Sequence, residues 1–275
     1  MNVLQWVDSL PSDQEVLVLT IFMLSYAASV VYCVHGVRRR SPNAFAGVSA
    51  SVFSPLGAIF GLTAAFLGAD VWDNESAALR AVNEEARALS EIWVHADGLG
   101  TPIGDNIRQN IRDYGRLVLE QEWPILEKMT DPYNETSVKA RELLYGIIAQ
   151  VGQYKVTDGV GLAPLEIDEL VRQAFTSRTQ RIDIAIHHVS YTKLYLTLSL
   201  GLLLILAVAV VHSGTLRLLI VMTLGATLVV SLVVCGVIAN DEPYEEGVSR
   251  IDPVKYYQVH EDFSRGPLAG PPPLR

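Results

Sequence analysis

The chain has 275 residues, half of them hydrophobic, with 21 Lys and Arg against 30 Asp and Glu for a net charge of −9. Its mean hydropathy of +0.28 and its 19% charged residues lie on the apolar side of soluble domains, which carry about 25% charged residues. These values exclude a disordered, collagen-like or disulfide-rich chain, and the acidic balance excludes a strongly basic nucleic-acid binder.

The apolar residues concentrate in four runs that hold no Asp, Glu, Lys or Arg. These are Val16–Val37, Ala44–Ala69, Leu194–Val211 and Leu218–Asn240, of 22, 26, 18 and 23 residues. A helix rises about 1.5 Å per residue, so roughly 20 residues cross a hydrocarbon core of about 30 Å. Tyr191, Lys193 and Tyr195 offer interfacial anchors for the shortest run. The expectation is an all-α integral membrane protein with four transmembrane helices.

The first run does not read as a cleaved signal peptide, because Asp8, Asp13 and Glu15 stand where a basic leader segment belongs. Arg38, Arg39 and Arg40 follow it and place the first connecting loop inside. Alternation then puts both termini and residues 73–191 outside a bacterial inner membrane. Four domains are expected: a transmembrane hairpin over 1–72, an extramembrane helical domain over 73–191, a second hairpin over 192–240, and an extended tail over 241–275. Cys33 and Cys235 fall near opposite faces of the membrane in this topology, too far apart for a disulfide.

Residues 73–191 carry 19 Asp and Glu against 12 Lys and Arg, a net of −7. Ala78, Val82, Leu89, Trp93 and Ala96 recur at helical spacing up to a break at Asp97–Gly100. Thr101 and Pro102 restart a helix as cap and first residue. Ile107, Ile111, Tyr114, Val118 and Ile125 form its apolar stripe. Asp131–Pro132 begins a third segment with Leu144, Ile148 and Val151 on its face. A Gly-rich break at Asp158–Gly161 precedes Pro164 and a last helix through Leu170, Ala174, Phe175 and Ile182, expected to run on into the third membrane helix. The Pro-rich end, Gly266–Pro273, reads as a solvated extended tail, with docking on a protein partner as the alternative.

Motifs for phosphate, dinucleotide, metal or nucleophile chemistry are missing from the sequence. His187 and His188 are neighbours that a helix points about 100° apart, which suits no shared metal. Glu84 and Glu85 read as part of a solvated face. No charged residue lies inside a membrane run, which disfavours proton pumps, voltage sensors and ion-coupled transporters. Neither an enzyme nor a cofactor is expected.

The second run is different. Gly47, Ser51, Ser54, Ala58, Gly61, Ala65 and Gly68 repeat at intervals of 4 and 3, drawing a strip of small residues along one helix face. Gly57 and Gly61 add a GxxxG pair beside it. Such strips let helix backbones approach closely. Two readings stay open: tight packing within one subunit, or packing around a symmetry axis beside a pore. In the second, Ser51 and Ser54 supply hydroxyls, and Pro55 frees a backbone carbonyl near them.

Several segments together resemble a known family. They are Phe53–Leu62, Ala65–Leu67, Asp70–Trp72, Ala81–Val82 with Glu84–Ala86, Tyr114 with Glu122–Pro124, and Asp241–Tyr244 with Gly247. Their order and spacing resemble the bacterial bestrophin-like family of four-helix membrane proteins. The resemblance implies a homopentameric ion channel whose second helix lines a narrow pore. Ser54, Pro55, Leu56, Ile59 and Phe60 would be the neck candidates. It also implies a cytoplasmic insertion, against the outside placement read from the arginines, and the acidic calcium clasp of animal bestrophins has no counterpart here.

The expected function is a passive ion channel that is a homo-oligomer in the lipid bilayer and conducts an inorganic ion. Asp70 and Asp73 at the mouth favour cations, whereas the family name suggests anions. The alternative is a non-conducting scaffold or accessory subunit that binds a protein partner through its outer domain and tail.

Overall fold

The structure, a computed structural model, describes residues 12–100, 102–126, 131–132, 134–157, 162–186, 191–240, 243–244, 251 and 253. Every regular element among them is helical: α1 (Ser12–Arg40), α2 (Ala50–His95), α3 (Ile103–Leu117), α4 (Trp123–Leu126), α5 (Glu135–Thr157), α6 (Leu162–Ile186), α7 (Tyr191–Val211) and α8 (Leu216–Ile238). A 3₁₀ turn, Ala96–Leu99, follows α2, and a single π turn, Val118–Glu122, joins α3 to α4. The four uncharged runs fall mainly in α1, the first half of α2, α7 and α8, and these helices are each long and apolar enough to cross a membrane. His187–Ser190, Asp158–Gly161 and the Pro-rich end lie outside the described residues.

The chain divides into two compact units, one of residues 1–73 and 189–242, the other of residues 74–188 and 243–275. In the first unit α1 packs along α8 and α8 along α7. Met23, Phe60, Ile205, Val230 and Val234 form its main core cluster. Glycine is required at position 201, where a Cβ would meet Val230 Cγ1 at 2.5 Å and Phe60 Cε2 at 3.2 Å. Leu17, Ile21, Leu24, Leu203, Leu224, Leu228 and Leu232 point outward and are exposed. A water-soluble bundle hides such residues, whereas a bilayer solvates them at no cost. Cys33 and Cys235 are free. Thr20 lies 3.8 Å from Cys235, so Cys33 is removed from Cys235 by about 20 Å of α1.

The second run departs from the sequence reading at its start. Residues 42–47 form turns, with Ala44 N–H on Ser41 O at 2.9 Å and Ala46 N–H on Asn43 O at 3.0 Å. Gly47 has φ +84°, a conformation that other residues rarely adopt. It is a turn residue and does not begin the helical strip. From Ala50 the helix continues unbroken for 46 residues, because no Gly or Pro interrupts residues 69–97.

The second unit is a bundle around Ala78, Val82, Leu89 and Ile92 of α2, Ile107, Ile111 and Tyr114 of α3, Leu144, Ile147 and Val151 of α5, and Ile167, Val171 and Ala174 of α6. Tyr244 and Ile251, beyond α8, are buried in the same core. The break after α2 falls where the Gly residues predict it, with Gly100 at φ +68°. Pro102 is the residue before α3 rather than its first, a shift within the ordinary uncertainty of helix ends. Thr101 lies outside the described residues.

Candidate functional site

Helix α2 is the least buried of the four spans. It reaches the rest of its unit through Phe60, Leu67 and Val71, which are buried against α7 and α8. The opposite face carries the strip. Ser51, Ser54, Ala58, Gly61 and Ala65 are exposed, and Gly68 is half-buried. A Cβ built at Gly61 or Gly68 meets nothing within 4 Å, while one at Gly57 touches Leu204 Cδ1 at 3.8 Å. The GxxxG pair is therefore divided, with Gly57 toward α7 and Gly61 toward open space. Among the described residues, none outside α2 lies within 4 Å of a Cβ at Gly61 or Gly68.

The neck candidates separate in the same way. Pro55 and Ile59 are exposed, Leu56 is half-buried, and Phe60 is only 5% exposed. Phe60 is a packing residue of the subunit's own core. Near the start of the helix Ser51 Oγ lies 2.7 Å from Ser49 Oγ. Pro55 has no N–H to give the Ser51 carbonyl four residues back, so that carbonyl lacks its usual helical donor.

At the other end of the span the two acids differ. Asp73 is exposed, but Asp70 shares the side of Leu67 and Val71, and its Oδ2 lies 2.6 Å from Lys193 Nζ on α7. Asp70, expected with Asp73 at a pore mouth, forms an ion pair. Leu67 and Val71 turn that face toward α7, and Lys193 in the first turn of α7 is within reach.

The second unit holds a charged cluster at its centre, and here the sequence reading is corrected. Glu85 belongs to the buried interior, not to a solvated face; only Glu84 is exposed. Arg181 Nε meets Glu85 Oε2 at 2.9 Å, and Arg181 Nη2 meets Glu122 Oε1 at 2.7 Å. Arg178 Nη2 donates to Glu122 Oε2 at 2.5 Å and to the Ser137 carbonyl at 3.1 Å. The Tyr114 hydroxyl donates to Glu85. Glu85, Glu122 and Arg181 have side chains at 0% exposure. Burial alone raises the Glu122 pKa, but the charges and hydrogen bonds of Arg181 and Arg178 outweigh it and hold the carboxyl below its ordinary value. Burial, then the Glu85 charge, pushes Tyr114 well above the usual phenol value.

Two carboxylates and two guanidinia balance to zero, so the cluster holds charges in the interior without a net charge. It sits among Trp123, whose ring lies 5.6 Å from the Arg181 guanidinium carbon, and Tyr244, edge-on to Trp123 at 5.8 Å. No group of three or more His, Cys, Asp or Glu suited to a metal occurs among the described residues.

A sequence signal for the cluster exists. Positions 78, 82, 85, 89, 92 and 96 run at 4-3-4-3-4, and positions 167, 171, 174, 178, 181 and 185 do the same. Glu85, Arg178 and Arg181 occupy core positions of otherwise apolar stripes. Glu122 similarly follows Ile107, Ile111, Tyr114 and Val118, at the end of the π turn.

These features define a helical membrane protein with four spans, of which the second presents an open face of small residues. A sequence profile of the Bestrophin-like domain matches residues 21–256, and the chain belongs to the bestrophin-like family. Its fold is similar to that of a bacterial bestrophin homolog from Klebsiella pneumoniae. One crystal structure of that protein, solved by zinc phasing, matches with a TM-score of 0.69 at 10% identity over 89% of this chain and 97% of the other. A single-residue variant matches with a TM-score of 0.73 at 9% identity, over 91% and 97%. A search of curated proteins finds no match.

Proposed function

We propose that the chain is one subunit of a homo-oligomeric passive ion channel, built as a ring with α2 nearest the axis. The observation that carries this reading is the open strip on α2. Five small residues, Ser51, Ser54, Ala58, Gly61 and Ala65, are exposed among the described residues, none of which outside α2 lies within 4 Å of a Cβ at Gly61. In lipid an apolar helix face gains nothing from hydrophobic association, so a strip of this kind is explained by close contact with another copy or by a pore. Membership of the bestrophin-like family supports the same reading, as does the lack of any charged residue in the four runs.

In this proposal residues 1–72 and 192–240 form the membrane part in a bacterial inner membrane, and residues 73–191 form an extramembrane helical domain inserted between them. Residues 241–275 form a tail of which Tyr244 and Ile251 return to the helical core. Pro55, Leu56 and Ile59 narrow the pore beside the strip, which ends at Gly68. The arginines at 38–40 place their loop inside and residues 73–191 outside. Asp73 and the net −7 of residues 73–191 favour cations at the mouth, with Asp70 largely neutralised by Lys193.

The test is twofold. Oligomer size after mild detergent extraction should be a closed ring, of five subunits if the family resemblance extends to assembly. Reconstituted protein in a salt gradient should conduct, with a reversal potential on the cation side. An intact oligomer in a silent bilayer would replace the channel with a scaffold that works through its helical domain and tail.

A further inference from the structure

We infer that the arginine end of the membrane unit is a binding site for the phosphate of anionic phospholipid headgroups, formed by Arg39, Arg40 and Arg217 around a joint made by Arg38 and Ser213. The inference goes beyond conduction and holds whichever leaflet this end faces.

The charges of the unit are sorted by end. Arg38, Arg39 and Arg40 close α1, and Arg217 lies in the first turn of α8. No Asp or Glu occurs in residues 16–69 or 194–240. The described acids of the unit are Asp13 and Glu15 at the start of α1 and Asp70 and Asp73 on α2. Glu15 is separated from Arg38 by about 35 Å of helix. Asp70 pairs with Lys193 at the start of α7, whereas Ser213 follows the end of α7, about 30 Å further on. The arginine end and the acidic end are thus one hydrocarbon thickness apart. No described carboxylate of this unit lies at the arginine end.

The end is also built, not merely charged. Arg38 Nη1 donates to Ser213 Oγ at 3.2 Å, which ties the loop after α1 to the loop after α7. Ser213 is buried. Phe45, in the turn after α1, packs onto Val30, Val34, Ala209 and Leu219, so the loop folds back over three helices. Arg39, Arg40 and Arg217 remain exposed around this joint. Arg217 stands at a helix start, where the helix dipole disfavours a cation, so helix stability does not explain it. A phosphodiester accepts the planar fork of a guanidinium in a bidentate pair. Headgroups lie at the level to which four spans of this length bring these side chains.

The full chain is placed in nanodiscs of equal phosphatidylglycerol and phosphatidylcholine, and the lipids that stay bound on release are counted by native mass spectrometry. Wild type should retain phosphatidylglycerol preferentially. Each of Arg39→Gln, Arg40→Gln and Arg217→Gln should weaken that preference about fivefold, and the triple variant on the order of a hundredfold. Lys193→Gln, at the opposite end, should leave it unchanged. Equal retention by wild type and the triple variant overturns the inference, as does an equal loss in Lys193→Gln. Displacement of the lipid by millimolar inorganic phosphate would also overturn it, since the site would then take free phosphate. Because the three arginines are exposed, the variants should keep the oligomer size of wild type; if the triple variant does not, the three single substitutions carry the test.

Discussion

Replacing Gly61 by Leu separates assembly from folding, because the two demands fall on different faces of α2. A Cβ at Gly61 has no neighbour within 4 Å in the subunit, so the isolated chain should accept leucine with little change in thermal stability. In a ring, the same side chain enters the contact between neighbouring copies. Overpacking of a close contact costs about 1–3 kcal/mol per site, or about 5- to 150-fold in the association constant of each contact. Every subunit of a closed ring carries the penalty, so the losses compound around it. Gly201→Ala is the matched control: its new methyl meets Val230 Cγ1 at 2.5 Å and Phe60 Cε2 at 3.2 Å. That variant should lower the melting temperature of the subunit itself. Light scattering of detergent-extracted protein reports oligomer size, and a thermal melt reports subunit stability. Gly61→Leu with an unchanged oligomer would refute the assignment of the strip to an intersubunit contact. Gly61→Leu with a melting loss equal to that of Gly201→Ala would refute the claim that the face is open in the subunit.

Arg181→Met strands Glu85 and part of Glu122 in the core; breaking a buried pair costs about 3–5 kcal/mol, and adding Glu85→Leu to it should recover part of the lost melting temperature. The Glu122 pKa is lower folded than unfolded, because Arg181 and Arg178 outweigh the effect of its burial. Its contribution to stability is therefore complete above the unfolded carboxylate value of about 4.3 and is lost as pH falls through the lower folded value; Glu122→Gln should remove this acid limb from a plot of stability against pH. Tyr114 runs the other way: its raised pKa keeps a stabilising proton that the unfolded chain releases above about pH 10, so Tyr114→Phe should flatten the alkaline limb seen in the same measurement. Lys193→Gln frees the Asp70 carboxylate and should move the reversal potential of the reconstituted protein further toward cations; an unchanged reversal potential would show that Asp70 lies outside the field of the pore.

The membrane part of this protein is legible in its sequence because lipid imposes a rule on each segment separately. A span must satisfy its own backbone and exclude charge over about 20 residues, and four runs do so without reference to one another. Helical periodicity in residues 73–191 is local in the same sense, since it follows from contacts three and four residues apart, and the breaks at Asp97–Gly100 and Asp131–Pro132 come from residues whose backbone limits are their own. The strip from Ser51 to Gly68 is likewise visible as spacing.

What the spacing lacks is the identity of the partner on each face. That Phe60 turns inward onto Gly201 while Gly61 meets nothing depends on how α7 and α8 lie against α2, and no pattern within α2 states it. Gly47 looks like the first member of the strip until the turn after α1 gives it a positive φ. Asp70 reads as a mouth charge until Lys193, 123 residues away, comes within 2.6 Å. Glu85 reads as a surface acid until Arg181, 96 residues away, enters the same core. A charge is tolerable in an apolar stripe only when an opposite charge arrives to replace its water. Tertiary packing alone decides whether it does, because the two halves of each pair lie on different helices and neither helix needs the other in order to form.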